Sequence, residues 1–442
     1  MHQCVSYGYV SLYSAISKTK PFIQKASSRK GLDQMPLQAK IGFEFEVGNW
    51  ETLKEENNTE GKPHKVSLKK NEQLLKNEFF ELKADETKDD RSDLEIATKA
   101  FEENEDGFRE LKHTAKLLNE FFSSLEPFDE AHLPVEKFSG VGTITGQSTQ
   151  IVVSGPPHIK PQVTMGMTFG SVISLFEDLG TQQEGEEKQL KIRRERGRRQ
   201  LAHQSEHSVR SGQRFDIAMQ YAEEMIEQAS LEFDTCEINF FKSRESLYAV
   251  TMILLNYLLK GKYGLLTYPK AIASLISRTD FATVINMLHP DDLEELRDDH
   301  GKLWLRYWSQ LEKMLNMKLS EPVFEGGIYL KMDNVADKHM LNCLTREKWL
   351  MGMLNGTDYL TTKHFPNPQV AEELESLGEW GSKTDAHPEF HSGVPIFELR
   401  SAQVLQDHYS IPPFMQEAFS YIYSLNKDMG FKFGEIVPGL PH

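Results

Sequence analysis

The sequence predicts an α+β fold, and three observations predict it. Segments of period-two hydrophobicity cluster early, at Ile41–Val47, Glu78–Ala84, Asp93–Thr98 and within Gln150–Val153. A long block of helical periodicity follows from Arg214, and one strand-like segment, Ile396–Ser401, returns near the end. Strands gathered first and helices collected afterwards point to α+β, whereas α/β chains alternate the two regularly.

The organising stretch is Ile41–Trp50, IGFEFEVGNW. Ile41, Phe43, Phe45 and Val47 share one parity, and Gly42, Glu44 and Glu46 share the other. That pattern describes a strand with an apolar face in the core and two carboxylates opposite. Same-face neighbours on a strand lie about 6.5–7 Å apart, so the two carboxylates repel unless a positive group sits beside them. Hard divalent cations such as Mg2+ take oxygen ligands and suit that place. An isolated E-x-E is more often a solvated strand face, and it is the further segments of the same kind that give this one weight.

Residues 1–38 are of mixed character, with a Lys/Ser/Gly-rich stretch before the first strand. Glu51–Lys65 reads as a polar loop, Glu78–Ala84 as a second strand, and Asp85–Arg91 as a charged turn. In the third strand, Asp93–Thr98, Asp93 and Glu95 share a face. Phe108, Leu111, Ala115, Leu118 and Phe122 recur at helical spacing. Gly140–Gly155 reads as turn and strand, with Gln150 and Val152 on one face. Gln162–Phe169 reads as a separate strand leading into an apolar helix, Val172–Leu179.

Between Thr181 and Gly212 an acidic run gives way to the basic cluster LKIRRERGRRQ. Lys188–Arg199 is expected to be a mobile loop, either a functional basic patch or a solvated charge-laced helix. Beyond it, Ile217, Tyr221, Met225 and Ala229 mark a helix, and Leu247–Leu259, Pro269–Met287 and Asp292–Leu315 mark more. Trp304, Tyr307, Trp308 and Leu311 read as core residues. Ser320–Lys331 reads as strand, Arg346–Leu354 as helix, 361–392 as loop, and Pro412–Asn426 as a terminal helix.

Composition narrows the function classes. At 442 residues the chain has ample core, and its net charge of -16 disfavours non-specific nucleic-acid binding. Cys4, Cys236 and Cys343 are scattered, without metal-ligand spacing, which suits a reducing compartment. No run reaches the roughly 18 apolar residues of a transmembrane helix, and the N-terminal residues do not read as a signal peptide. No Walker A sequence is present, which excludes a P-loop enzyme.

Four separated segments each place polar side chains within apolar strands: Glu44/Glu46, Asp93/Glu95, Gln150, and Glu398 with Arg400. As neighbours in one sheet they form a carboxylate-rich concavity with an arginine at its edge. Such a concavity suits several Mg2+ ions and a nucleoside triphosphate, with Arg400 neutralising charge on a transferred phosphoryl group.

The order G-F-E-F-E, D-L-E-I-A-T, a Gln-bearing strand and a late F-E-L-R strand resembles the glutamine synthetase and glutamate–cysteine ligase superfamily. Within it, the chain resembles the actin cross-linking domain of bacterial effector toxins, carried by multifunctional repeat toxins and type VI secretion spike proteins. The resemblance implies a curved, mainly antiparallel sheet with a metal and ATP site on its concave face, plus a helical lobe. It implies ATP and two or three Mg2+ ions as cofactors, and isopeptide ligation of a glutamate of one monomeric host actin to a lysine of another. Glu44, Glu46, Glu95, Gln150 and Glu398 match metal ligands, with Glu44, Glu46, Glu398 and Arg400 the catalytic set. Gln150, Arg400 and, more loosely, Arg278 match nucleotide-binding positions. Gln147 competes with Gln150, and the acidic residue before Glu95 is open among Asp89, Asp90 and Asp93.

The implied organisation is one catalytic domain over 1–442: sheet strands and helices in 39–180, the charged loop 181–213, a helical lobe 214–355, and the last site strand with its helix in 393–442. The resemblance further implies part of a larger secreted polypeptide, delivered into the host cytosol without its own signal peptide, with neither nucleic acid nor membrane as partner. A small-molecule glutamate–amine ligase and a non-catalytic binding module are the alternatives.

Overall fold

The computed structural model of the chain describes residues 39–57, 61, 63–88, 91–129, 131–146, 149–167, 169–179, 206–233, 244–263, 284–285, 288, 290–323, 345–356, 379–380, 394–399 and 404–428. They form the expected α+β fold. The strands are β1 (Lys40–Asn57), β2 (Pro63–Val66), β3 (Gln73–Lys76), β4 (Phe80–Lys88), β5 (Arg91–Thr98), β6 (Phe101–Glu102), β7 (Ala131–Pro134), β8 (Thr143–Ile144), β9 (Thr149–Gly166), β10 (Glu379–Trp380) and β11 (Val394–Leu399). They make one 11-stranded sheet in the order β10-β11-β9-β1-β5-β4-β3-β8, with β2 and β6 added to β1 and β7 to β9. Every described pairing is antiparallel, and the sheet curls into a half-barrel.

The helices are α1 (Glu105–Ser123), α2 (Phe169–Leu179), α3 (Glu206–Phe233), α4 (Arg244–Tyr263), α5 (Pro290–Trp308), α6 (Gln310–Leu315), α7 (Arg346–Leu354) and α8 (Ile411–Asp428). Asn104 caps α1 by accepting from the Gly107 amide, satisfying one of the donors a helix start leaves free. Helices α1 and α8 lie on the apolar face of β1. Phe414 stands edge-on to Phe43 and Phe45, at 6.1 and 6.4 Å between ring centres. Trp50 packs on Phe122 at 5.1 Å, and Phe108 meets Phe419 at 5.3 Å. In the helical lobe, the indole of Trp304 donates to the Leu350 carbonyl, and Thr251 and Tyr307 share a hydrogen bond of 2.7 Å. Trp304, Tyr307, Trp308 and Leu311 are all fully buried, as their spacing predicts.

The strands run further than the hydrophobic pattern shows. The expected loop after Trp50 is instead a continuation of β1, paired with β2 from Lys54 to Asn57. Both faces of that ribbon are polar, with Lys54 ion-paired to Glu56, so no apolar alternation marks it. The two strands expected on either side of Gly155 are one 18-residue strand, β9. Its register on β1 jumps between Gly48↔His158 and Trp50↔Val153, so Ser154–Pro157 bulge outward. Asn49, in the left-handed region at φ 68, and the Trp50 indole close the bulge by donating to the Pro156 and Gly155 carbonyls. Pro156, Pro157 and Pro161 fall between the parts of β9 that pair with β7 and with β11, where a missing N–H breaks no ladder. The helix expected over Asp292–Leu315 breaks at Ser309 into α5 and α6. Most of Pro269–Met287, the strand expected beyond Val323, and Lys188–Arg199 lie outside the described residues.

Two outcomes test this packing. Phe414→Ala removes the ring bridging α8 to β1 and is expected to cost about 3–5 kcal/mol, read as a lower denaturant midpoint. The second concerns Glu103, 1% exposed, whose oxygens receive Asn426 Nδ2 at 2.7 and 2.9 Å. Burial lifts its pKa from 4.5 to about 8, against the Asn426 contact, which lowers it. The folded state therefore holds this proton more tightly than the unfolded one. The corresponding stability is complete below pH 4.5 and is lost as pH rises through about 8. Glu103→Gln is expected to flatten the fall in unfolding midpoint between pH 5 and 9. A variant with the wild-type slope would show that Glu103 does not set it.

Candidate functional site

In an antiparallel pair, residues directly opposite each other share a face. The register therefore lays the polar side chains of the sheet out in rows. One row runs Lys160 (β9), Glu46 (β1), Glu95 (β5), Lys83 (β4). The next runs Gln162, Glu44, Ala97, Glu81 across the same four strands, and a third runs Glu398 (β11), Thr164, Gly42. The first row thus reads plus, minus, minus, plus.

Glu46 and Glu95 are direct cross-strand neighbours, a position in which like charges destabilise the pair. The structure resolves this by turning them apart. Lys83 Nζ lies 2.8 Å from Glu95 Oε1, drawing that carboxylate toward β4. Gln162 Nε2 donates to Glu46 Oε1 at 2.5 Å, and Lys160 Nζ stands 3.9 Å from Glu46 Oε2, holding that one toward β9. The two lysines are unequal: the Lys83 side chain is 17% exposed and that of Lys160 is 63% exposed, so Lys160 is largely screened by water.

Burial pushes the Glu95 carboxyl up to about 7, the charge of Glu44 adds to the rise, and Lys83 opposes it. For Lys83, burial acts to lower the pKa, but Glu95 and Glu44 outweigh it and the ammonium is held above its ordinary value. Lys83 is therefore the firmly charged partner, and Glu95 is the group that titrates.

Strand β9 crowds β1 at the two ends of this acidic run. A Cβ on Gly42 would come within 2.7 Å of Thr164 Oγ1, and one on Gly48 within 3.2 Å of the His158 carbonyl. Glycine at both positions lets β1 and β9 approach closely and leaves no side chain at either end of the acidic run.

Among the residues expected to form the site, Glu44, Glu46 and Glu95 come together on adjacent strands. Glu398 is fully buried on the same face, opposite Thr164. Gln150 does not join them. It lies opposite Leu53, beyond the bulge and seven residues along β1 from Glu46, roughly 20 Å away, and contacts His132 at 3.1 Å. Asp93 lies opposite Glu51, past a register shift and next to the Arg91–Glu51 ion pair at 2.7 Å. Arg278, Arg400, Gln147, Asp89 and Asp90 lie outside the described residues. The glutamine beside Glu44 and Glu46 is Gln162, which sequence reading passed over, as it did Lys83, Lys160 and Glu81. The parity of Gln162 with Thr164, and of Glu81 with Lys83 in EFFELKA, is the signal that carried them.

In the arrangement described, no three His, Cys, Asp or Glu side chains among the described residues stand close enough to hold a metal ion. The donors still fit a hard cation. They are all oxygens, and Gln162 Oε1 is buried without a hydrogen-bond partner. What keeps the carboxylates apart is Lys83 on one side and Gln162 with Lys160 on the other.

No protein-family description matches this chain, and no curated protein matches it in sequence. Two solved structures do resemble it. One is a Vibrio cholerae toxin from the MARTX/VgrG family, at 12% identity and a TM-score of 0.40, over 85% of this chain and 97% of that one. The other is a variant of the ACD domain of a VgrG Vibrio cholerae toxin in complex with ADP and Mn2+, at 12% identity and a TM-score of 0.39, over 84% and 97%.

The like-charge cluster makes a direct prediction. In Glu44→Gln the charge that helps to raise Glu95 is gone, so the Glu95 titration, followed by carboxyl NMR, should move down from about 7. Without divalent ions at pH 8, the variant should be at least as stable as wild type. A loss of stability would mean that Glu44 braces the sheet instead of straining it.

Proposed function

We propose that this chain is an ATP- and Mg2+-dependent ligase that joins a glutamate of one actin molecule to a lysine of another. The observation that carries the proposal is the convergence of Glu44, Glu46 and Glu95, with the unpartnered oxygen of Gln162, on one face of the sheet. These segments occur in the motif order that resembles the ligase superfamily. Glu44, Glu46, Glu95 and Glu398 would hold the divalent ions, with Gln162 in the place first given to Gln150. Bound there, the ions supply neutralisation of the ATP phosphate charge.

The rest follows from ordinary acyl-transfer chemistry. A glutamate carboxylate of the first actin attacks the γ-phosphorus, the bond to the β-phosphate oxygen breaks, and ADP leaves. The neutral amine of a lysine on the second actin then attacks the acyl carbon, and phosphate departs. The nitrogen loses one proton to a neighbouring carboxylate or to water as the isopeptide bond forms, and keeps the other as the amide N–H. Gln162 fixes the rotamer of Glu46 through its 2.5 Å hydrogen bond, and Arg400 is assigned to the phosphoryl oxygens. In this reading the domain acts in the host cytosol as part of a larger secreted polypeptide. Among the described residues, no helix is long and apolar enough to cross a membrane.

The test is incubation with actin, ATP and Mg2+ followed by a denaturing gel. A ladder of covalent actin oligomers is expected for wild type, and none for Glu46→Ala. Arg400→Lys is expected to lower kcat by about 100-fold without rescue by Mg2+, whereas Glu398→Gln should recover partly in excess Mg2+. ATP consumed with free glutamate and an amine, but without actin, would indicate a small-molecule ligase. An intact fold with neither ATP turnover nor cross-links would overturn the ligase reading.

A further inference from the structure

We propose that Lys83 is a built-in counter-cation, paired with Glu95 while the site lacks a divalent ion and transferred to the nucleotide polyphosphate when an ion takes that carboxylate. This rests on the reading of the face as a metal and nucleotide site, and it adds a positioning residue that sequence motifs did not identify.

The geometry of Lys83 differs from that of an ordinary surface ion pair. It sits directly opposite Glu95 in the β4–β5 register, with its ammonium 2.8 Å from Oε1 and its side chain only 17% exposed. Glu95 is itself 6% exposed and shares the face with Glu44, so water contributes little to stabilising its charge. A buried carboxylate in that position needs a fixed cation, and Lys83 is placed to supply one. The neighbouring carboxylate on the same strand, Glu81, already receives Gln73 Nε2 at 2.6 Å and Lys76 Nζ at 3.3 Å. Lys83 displaced from Glu95 therefore meets a second carboxylate that is already occupied.

A divalent ion on Glu95 would lie within a few ångströms of the ammonium, where repulsion between like charges in a partly buried site is strong. The long lysine stem lets the ammonium swing away along the sheet surface while its base stays packed. Divalent ions seated on the carboxylates would draw a polyphosphate onto the same face, and its oxygens would give the displaced ammonium a new partner. A metal ion arriving alone must break the Lys83–Glu95 pair without compensation. With a nucleotide present the pair is exchanged, so metal and nucleotide assist each other's binding through Lys83. Lys160 cannot do the same: it is 3.9 Å from Glu46 and mostly solvated, so its release changes little.

The experiment uses the full chain as wild type, Lys83→Met and Lys83→Arg, and reads binding rather than turnover. Free Mn2+ is counted by electron paramagnetic resonance without nucleotide, and ADP binding is measured by calorimetry at saturating Mn2+. Lys83→Met keeps the length of the side chain and removes its charge. It should bind Mn2+ alone about tenfold more tightly and ADP about tenfold more weakly, on the usual scale of coupling between sites. Lys83→Arg keeps the charge and can grip Glu95 with two donors, so Mn2+ alone should bind more weakly than to wild type. Opposite shifts in the two variants exclude a folding defect, which would weaken both. Wild-type binding with an unchanged or weakened Mn2+ affinity in Lys83→Met overturns the role of Lys83 alone. Wild type that binds neither Mn2+ nor ADP overturns the reading of the whole face, and the role of Lys83 with it.

Discussion

The contact on which this face depends is an unfavourable one: Glu46 and Glu95 stand directly opposite each other across β1 and β5. Like charges in that position oppose strand pairing, so the strands on either side have to bring compensation. Strand β4 brings Lys83 and strand β9 brings Gln162 and Lys160, and the resulting row is neutral by formal charge. The strand order β9-β1-β5-β4 is thus tied to electrostatics as well as to packing. Lys83 is the firm counter-charge of Glu95, whereas Glu46 is held by Gln162 and Lys160 together.

Packing on the opposite face is what makes such a polar surface tolerable. Phe43 and Phe45 alternate with the two glutamates of β1 in sequence and point into the core against Phe414. Every residue that fixes an acidic side chain on one face is thereby flanked by one that anchors the strand on the other. The bulge at Ser154–Pro157 then marks where the site ends. Beyond it the face carries Glu51 and Asp93 next to Arg91, a separately compensated group. One strand can in this way serve two surfaces of different chemistry, because the bulge absorbs the mismatch in residues between β1 and β9.

Sequence reading succeeded where a strand has one apolar and one polar face, and failed where that contrast is missing. IGFEFEV, DLEIAT and IFELRS alternate cleanly, and their glutamates fall on the face expected. Gln162 escapes a sequence reading that weighs only Gln147 against Gln150, because the proline-rich stretch after Gly155 makes one strand appear as two. Period-two parity gives the face of a residue but not its partner across the sheet. The register that sets Gln162 against Glu44, and Gln150 against Leu53, depends on a bulge closed by Asn49 and Trp50. Lys83 was missed for a related reason. A lysine alternating with apolar residues reads as a solvent-facing position, and only pairing with β5 places it beside Glu95. The helices were more legible, since Phe108, Leu111, Ala115, Leu118 and Phe122 declare a buried stripe within the helix itself.

A site meant for cations faces a conflict between folding and binding. Carboxylates arranged to hold an ion repel one another before it arrives, and the cost grows with burial. One solution keeps the ligands apart or exposed until the ion gathers them. This sheet uses another, in which side chains of the same face hold the ligands in a compensated, parted arrangement. Gln162 does so with a neutral donor and retains a buried oxygen without a partner. Lys83 does so with a charge, which a divalent ion must outcompete at the same carboxylate. In the proposed reading the selectivity would be for charge density: a monovalent ion would gain too little at Glu95 to displace an ammonium 2.8 Å away, whereas a divalent ion brings twice the attraction. In that reading, the lysine that stabilises the sheet would also set which ions this face accepts.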